Sequence, residues 1–325
     1  MGNATGADDP HASLDEGMRH FYRKLNEATP PGAESWPLDQ QRAAWNALCQ
    51  SFQAPRPDDV EVSDITCNGV PCRFYRPRKP GSVPAIIYGH GGGWVLGGPA
   101  THDDMCAELC AATGAAVLLM DYRLAPEHPF PAQLEDSLKV WRWAREQGPA
   151  HGIDPNVLIA AGDSAGGQMS VALAMALQEL ALPQLQGLVL IYPVLGSDMG
   201  TASYLRNANA PCLTRDEMGF YLRSFLGPEG SPAWRDPKAA PNLAGDVSFL
   251  PPTFITVAAH DPLRDDGVIF AEKLKLAQVP VALREEPVLA HSYMRARHHS
   301  APAMEGFKAI ARATRSLVEG RGLAT

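Results

Sequence analysis

The stretch Gly162-Asp163-Ser164-Ala165-Gly166-Gly167 predicts a sharp turn between a strand and a helix. It follows a short apolar run at 157–161 and precedes residues 168–182, which are rich in Ala, Leu and Met. A serine on so tight a turn needs small residues two positions before and two positions after it, because larger side chains would collide. The helix behind it presents free N–H groups and a positive dipole to the serine. The pattern therefore indicates a serine nucleophile, and an ordinary glycine-rich loop is the alternative.

Segments with strand and helix character alternate on both sides of this turn. We expect strands at 84–88, 115–120, 157–161, 187–192, 253–258 and 281–286, and helices at 102–113, 132–147, 164–182, 265–277 and 301–318. A hairpin precedes them, in which Asn68-Gly69 turns between residues 60–67 and 70–75. This alternation predicts an α/β fold with a mostly parallel central sheet flanked by helices. In such sheets ligands bind beyond the carboxyl ends of the strands.

Two regions interrupt the alternation and divide the chain. Residues 1–55 carry two amphipathic helical patterns without a strand between them, so their apolar faces must cover either the site or an interface. Residues 198–250 form an irregular insertion, and insertions of this size are usually functional where they overhang a site. The two parts of the core are therefore expected at residues 56–197 and 251–325.

Composition limits the partners and the location. The 325-residue chain has a formal net charge of −8, which argues against a nucleic-acid partner. It has neither an apolar run of eighteen residues nor an apolar N-terminal segment, so we expect no membrane span, no secretion signal and a cytoplasmic location. The six cysteines complete no metal site and are expected to be free thiols. Whether two pairs ever form disulfides is left open, Cys67 with Cys72 and Cys106 with Cys110.

A serine nucleophile needs partners at the ends of other strands. The sequence His90-Gly91-Gly92-Gly93 follows the strand at 84–88, and successive glycines let backbone N–H groups approach a ligand. Asp261 follows the strand at 253–258, and His291 follows the strand at 281–286. The chain order Ser, Asp, His is the order that a catalytic triad takes on this kind of sheet.

Other acidic residues and histidines compete for these roles. Asp265 and Asp266 lie where a helix begins, so we expect them to cap it. His260 adjoins the acid but follows the wrong strand. His298 and His299 come just before the last helix, where we expect solvated or capping side chains.

Four motifs together resemble the bacterial hormone-sensitive-lipase-like esterases: HGGG at 90–93, DYRLAPEHPFPA at 121–132, GDSAGG at 162–167 and DPLRD at 261–265. The resemblance covers residues from about 60 to 318. It implies an α/β-hydrolase fold whose helical cap is formed by residues 1–55 and 198–250. It also implies hydrolysis of small carboxylic esters with short to medium acyl chains, without a cofactor or a metal. Pairing into homodimers is common among the family's members.

The resemblance implies a role for each matching residue. Ser164 is the nucleophile, His291 the general base and Asp261 the residue that orients His291, and the oxyanion hole consists of the N–H groups of Gly92, Gly93 and Ala165. Two positions depart from the family pattern. Gln168 stands where Asn is frequent, and Ser292-Tyr293 follows the histidine where Gly-Phe is frequent.

Two other functions share this framework. An amide or carbamate hydrolase would use the same triad, and the sequence does not separate the two leaving groups. A ligand-binding receptor on this fold would lack the catalytic histidine, and the presence of His291 argues against it.

Overall fold

One mixed sheet runs through the part of the chain that the computed structural model describes, residues 13–30 and 32–323. Its strands are, in chain order, β1 (Val60–Cys67), β2 (Val70–Pro77), β3 (Val83–Gly89), β4 (Ala116–Met120), β5 (Ile153–Asp163), β6 (Gly187–Ile191), β7 (Thr253–His260) and β8 (Val281–Ala290). Their order across the sheet is β1-β2-β4-β3-β5-β6-β7-β8. The pairings of β1 with β2 and of β2 with β4 are antiparallel, and the others are parallel. This arrangement confirms the predicted fold class.

The apolar runs of the sequence form strands that are buried on both faces. β4 and β6 have the sequences AVLLM and GLVLI, and every residue in them is buried. A strand that is covered on both faces has a continuous apolar sequence. The predicted bounds of these two strands, 115–120 and 187–192, therefore agree with the structure within one residue.

β5 and β8 extend furthest beyond their predicted bounds. β5 begins at Ile153, and its polar residues 154–156 precede the apolar run that the sequence shows. β8 continues past residue 286 to Ala290, because it lies at the sheet edge, where Pro287 is tolerated at an exposed position. As a consequence β8 leads directly into His291.

Helices cover both faces of this sheet. The α-helices of the described residues are α1 (Glu16–Ala28), α2 (Leu38–Ser51), α3 (Pro99–Thr113), α4 (Ala132–Glu146), α5 (Ala165–Glu179), α6 (Ala202–Arg206), α7 (Arg215–Leu226), α8 (Arg264–Leu276) and α9 (Ala301–Val318). α3 and α9 pack together on one face, and α4 and α5 pack together on the other. α3 begins earlier than predicted, because Pro99 suits a first helical turn and the Thr101 hydroxyl accepts from the N–H of Gly98. None of these helices is both long and apolar enough to cross a membrane.

The two regions outside the core both contact it near residues 94–127. In α2, the Arg42 guanidinium donates to the carbonyl oxygens of Val95 and Ala125 and forms an ion pair with Glu127. In the 198–250 insertion, α7 buries Phe225 against Trp94. Residues 1–12 of the predicted 1–55 segment lie outside the described part of the chain.

Candidate active site

Ser164 lies on the turn that the sequence predicts, between β5 and α5. Its backbone has φ 54° and ψ −117°, a sparsely populated positive-φ conformation that costs a non-glycine residue about 1–3 kcal/mol. The surrounding glycines permit it, because a Cβ at Gly166 would run into the carbonyl oxygen of Gly89. The turn therefore holds the serine at the end of β5 and at the N-terminus of α5.

The three residues predicted as a triad meet at the carboxyl ends of β5, β7 and β8. The Nε2 atom of His291 lies 3.0 Å from the Ser164 hydroxyl oxygen, and its Nδ1 atom lies 2.7 Å from Oδ2 of Asp261. A carboxylate only accepts hydrogen bonds, so Nδ1 carries the proton and Nε2 is free to accept one from the serine. Ser164 and His291 are each 5% exposed, and Asp261 is fully buried. The arrangement can deprotonate the serine during attack on a bound substrate.

Backbone bonds and one further side chain hold the acid in place. The second carboxylate oxygen of Asp261 accepts from the N–H of Leu263 at 2.8 Å. The amide of Asn207, in the insertion, donates to the carbonyl oxygens of Ala259 and Asp261 at 3.1 and 2.9 Å. No sequence pattern predicted this contact, since Asn207 lies among other polar residues of an irregular segment.

The glycine-rich loop after β3 reaches the same edge of the sheet. Gly92 and Gly93 have φ angles of 122° and 59°, which favour glycine. Among the described residues, no acceptor is bonded to the N–H groups of Gly92, Gly93 or Ala165. Ala165 opens α5, where the first N–H groups have no partner inside the helix. These three groups are thus available to a ligand oxygen.

Trp94 continues this loop, and its side chain is held by Gln168, one of the two departures from the family pattern, and by Phe225 of the insertion. Its φ is 61°, and its indole N–H donates to Oε1 of Gln168 at 2.9 Å. The indole stacks on the Phe225 ring with a centroid distance of 3.9 Å and an interplanar angle of 3°. The neighbouring Tyr221 ring occupies the space that a Cβ at Gly93 would need. Helix α7 therefore lies directly on the loop.

A second buried polar group lies behind the loop. Oδ1 of Asp163 accepts from the hydroxyl of Tyr88 and the N–H of Gly91, both at 3.0 Å, and lies 3.1 Å from Nε2 of His102. The guanidinium of Arg295 is 2.9 Å from the same imidazole nitrogen. Burial acts to raise the pKa of Asp163, but the nearby His102 and Arg295 lower it overall. Burial lowers the pKa of His102, although Asp163 opposes this.

Known proteins share both the sequence and the fold. The profile of the alpha/beta hydrolase fold matches residues 86–295. The chain is 40% identical over 227 residues to the carboxylesterase NlhH of Mycobacterium tuberculosis, over 69% of this chain and 71% of the relative. It is 36% identical over 253 residues to an ethyl acetate hydrolase of Pseudomonas putida, over 75% and 78%. An esterase of the bacterial hormone-sensitive lipase family matches with a TM-score of 0.82 at 27% identity, over 96% of this chain and 100% of that one.

The chain belongs to the hormone-sensitive-lipase-like esterases of the α/β-hydrolase family. It is a carboxylic ester hydrolase, and small-molecule esters are its substrates. The resemblance drawn from the four sequence motifs is confirmed.

The expectation that Asp265 and Asp266 cap α8 in this esterase is wrong. The N-cap residue is Leu263, and no side chain caps the helix. The Asp266 carboxylate instead accepts from the N–H groups of Leu195 and Gly196, both at 2.8 Å, and Asp265 accepts from the N–H of Ser203. The segment that leads into the insertion and the start of the insertion itself pass over the beginning of α8, and their N–H groups bind these carboxylates. Burial raises the pKa of Asp266 to about 7.

The competing histidines of the esterase bond elsewhere. Nε2 of His298 is 2.7 Å from Oε1 of Glu108, and the His299 ring packs against Phe52. Both side chains are exposed, in agreement with the solvated alternative, and the last helix is capped by the hydroxyl of Ser300 and not by either histidine.

One group of the described residues has the spacing of metal ligands, Asp104, Glu108 and His298. The guanidinium of Arg297 forms ion pairs with both carboxylates of this group. None of its three residues forms a hydrogen bond with Ser164, Asp261 or His291. All six cysteines are free thiols.

Proposed function

We propose that this esterase is a serine carboxylesterase that forms an acyl-serine intermediate on Ser164. His291 is the general base, Asp261 orients it, and the N–H groups of Gly92, Gly93 and Ala165 form the oxyanion hole. The observation that carries the proposal is the continuous contact from the Ser164 hydroxyl through both nitrogens of His291 to the Asp261 carboxylate.

The first half of the reaction transfers the acyl group to the enzyme. The Ser164 oxygen bonds to the ester carbonyl carbon while its proton passes to Nε2 of His291. The negative charge develops on the carbonyl oxygen, where the three N–H groups stabilise it. The tetrahedral intermediate then breaks its bond to the alcohol oxygen, which takes the proton from His291.

The second half returns the enzyme to its starting state. Water attacks the acyl carbon and gives its proton to His291, which passes it to the Ser164 oxygen as the acyl–serine bond breaks. The carboxylic acid leaves. Asp261 remains a carboxylate throughout and stabilises the imidazolium that forms twice in each cycle.

Residues 1–55 and 198–250 form the cap over this site in the proposal. Two contacts support it: α7 packs on the glycine-rich loop through Tyr221 and Phe225, and α2 binds the segment after that loop through Arg42. Aromatic rings so close to the oxyanion hole favour a confined apolar acyl site. We therefore propose esters of short to medium acyl chains as substrates.

A p-nitrophenyl ester series from acetate to palmitate, with the matching anilides, tests the proposal. We expect kcat/KM to be highest between acetate and octanoate and to fall by at least about tenfold for palmitate, because the long chain exceeds the confined site. Anilides cleaved as fast as esters would identify an amide hydrolase. Binding without turnover of any member would identify a receptor. A kcat/KM that rises along the series up to palmitate would contradict the proposed confined acyl site.

A further inference from the structure

The glycine-rich loop of the proposed oxyanion hole has three consecutive residues with positive φ, and one of them is not a glycine. Gly92 and Gly93 adopt positive φ angles freely, but Trp94 follows them with φ 61°. A bulky side chain at such a φ is an outlier that persists only where its surroundings hold it. Because Trp94 directly follows Gly93, the contacts that hold its side chain also fix the direction of the preceding N–H groups.

Gln168 makes the polar contact to that side chain. It is 1% exposed and lies on α5, four residues after Ser164. Its Oε1 accepts from the Trp94 indole at 2.9 Å, and its Nε2 donates to the carbonyl oxygen of Lys238 at 2.5 Å. An indole N–H only donates and a carbonyl only accepts, so the amide has a single orientation that satisfies both partners.

Gln168 contacts the edge of the indole, and the insertion covers one of its faces. Phe225 stacks on it in parallel, and Lys238 forms an ion pair with Glu179 of α5 at 2.9 Å. Lys238 therefore contacts the nucleophile helix twice, through its ammonium to Glu179 and through its carbonyl oxygen to Gln168. Gln168 thus connects three parts of the site: the nucleophile helix, the glycine-rich loop and the insertion.

We propose that Gln168 is a positioning residue that keeps the N–H groups of Gly92 and Gly93 directed at the substrate oxygen by holding Trp94. The inference rests on the proposed oxyanion hole and extends it. Gln168 touches no reacting atom, so its effect is on transition-state binding through the loop and not on binding of the ground-state ester.

The length of the side chain matters for this role. Asn, which is frequent at this position in the family, is shorter by one methylene and does not span from Trp94 to the Lys238 carbonyl on this backbone. In this chain Gln168→Asn is therefore expected to act as a loss of the contact and not as a conservative replacement.

The test measures Gln168→Met, Gln168→Asn and Trp94→Phe with a short-chain p-nitrophenyl ester. We expect kcat to fall by about tenfold with KM within about twofold, since the loss concerns the transition state alone. A trifluoromethyl ketone, which forms an oxyanion on reaction with the serine, should lose affinity by the same factor. The matching secondary alcohol, which forms no oxyanion, should bind as it does to the wild type.

The double variant Gln168→Met with Trp94→Phe separates this hydrogen bond from general loosening. It removes the donor and acceptor together, so it should be no slower than either single variant. Gln186→Met is the matched control, because Gln186 also donates its amide to a backbone carbonyl, that of Leu317, at the other end of β6. It should lower stability without lowering kcat.

Several results would overturn the inference. A rise in KM with kcat unchanged would make Gln168 a wall of the pocket, and an equal loss of kcat in Gln186→Met would make the effect a general one. Multiplicative losses in the double variant would mean that the two residues act separately. If Gln168→Met does not fold, the kcat and KM values of Gln168→Asn and Trp94→Phe test the inference instead. Failure of wild-type ester hydrolysis to depend on Ser164 would instead reject the proposed function itself.

Discussion

Among the residues that the structure describes, two groups stand out in which a carboxylate, an imidazole and a hydroxyl follow one another, and one of them is the proposed catalytic triad. In the first, Asp261 lies 2.7 Å from His291, which lies 3.0 Å from the Ser164 hydroxyl. In the second, Asp163 lies 3.1 Å from His102, whose other nitrogen lies 2.7 Å from the Thr101 hydroxyl. The residue types and distances are alike, so composition does not separate them.

The surroundings of the hydroxyl separate the two groups. Thr101 is fully buried, and its hydroxyl donates to the carbonyl oxygen of Gly98, so its proton is already bound. Arg295 adds a cation next to His102, which disfavours the imidazolium that a general base must become. Ser164 has neither feature, and it lies beside free N–H groups at a helix start. The proposed catalytic group therefore differs from the buried group in two respects: its hydroxyl proton is not bound to a backbone carbonyl, and N–H groups lie nearby that can stabilise a developing anion.

The largest expected effect comes from removing each hydroxyl in turn. Ser164→Ala should reduce kcat on a short-chain ester by about 10⁴-fold or more, because no acyl-enzyme forms. Alanine still suits the turn, so the circular dichroism spectrum and melting temperature should stay close to the wild type.

Thr101→Val is the matched variant in the buried group. It should lower stability by about 1–2 kcal/mol through the lost hydrogen bond to Gly98, with kcat within about threefold of wild type. A large loss of kcat in Thr101→Val, or substantial activity in Ser164→Ala, would contradict the distinction between the two groups.

The next effect concerns the acid and the base of the active group. Asp261→Asn and His291→Asn should each reduce kcat by about 10³- to 10⁴-fold, and the double variant should be scarcely slower than either, because the three residues act as one unit. A double-mutant cycle on kcat measures this. Multiplicative losses would assign one of the residues a structural role, and retained activity in His291→Asn would point to His298 or His299 as the base.

Sequence alone predicted the parts of this molecule that are encoded locally. The buried strands appear as apolar runs, and Ser164, Asp261 and His291 each follow such a run, so the topology brings them together. Contacts between distant positions were not predictable in the same way. Trp94 meets Gln168 across 74 positions and His102 meets Asp163 across 61, and no short motif encodes either approach. The same reason explains the error for Asp266, whose partners Leu195 and Gly196 lie 71 and 70 positions earlier in the chain, just before the insertion.

The smallest expected effect concerns the buried group at acidic pH. His90 adjoins this group, with its ring centroid 5.5 Å from that of His102, and its Nε2 atom is buried with no partner among the described residues. Burial, together with His102, lowers the pKa of His90 to about 3. Between pH 6.5 and 3 the unfolded chain therefore binds a proton that the folded chain does not, so the stability that neutral His90 provides is lost as the pH falls.

Denaturant unfolding of the wild type and His90→Gln near pH 7 and near pH 5 measures this loss. One pH unit in this range corresponds to about 1.4 kcal/mol, so the stability advantage of the wild type over the variant should shrink by about 2 kcal/mol at the lower pH. Asp266→Asn should show the opposite trend, because the raised pKa of about 7 means that folded Asp266 holds a proton that the unfolded chain releases. An advantage over His90→Gln that stays constant with pH would mean that His90 is protonated in the folded state as readily as in the unfolded one. The buried group behind the glycine-rich loop would then not make the folded state less stable at acidic pH.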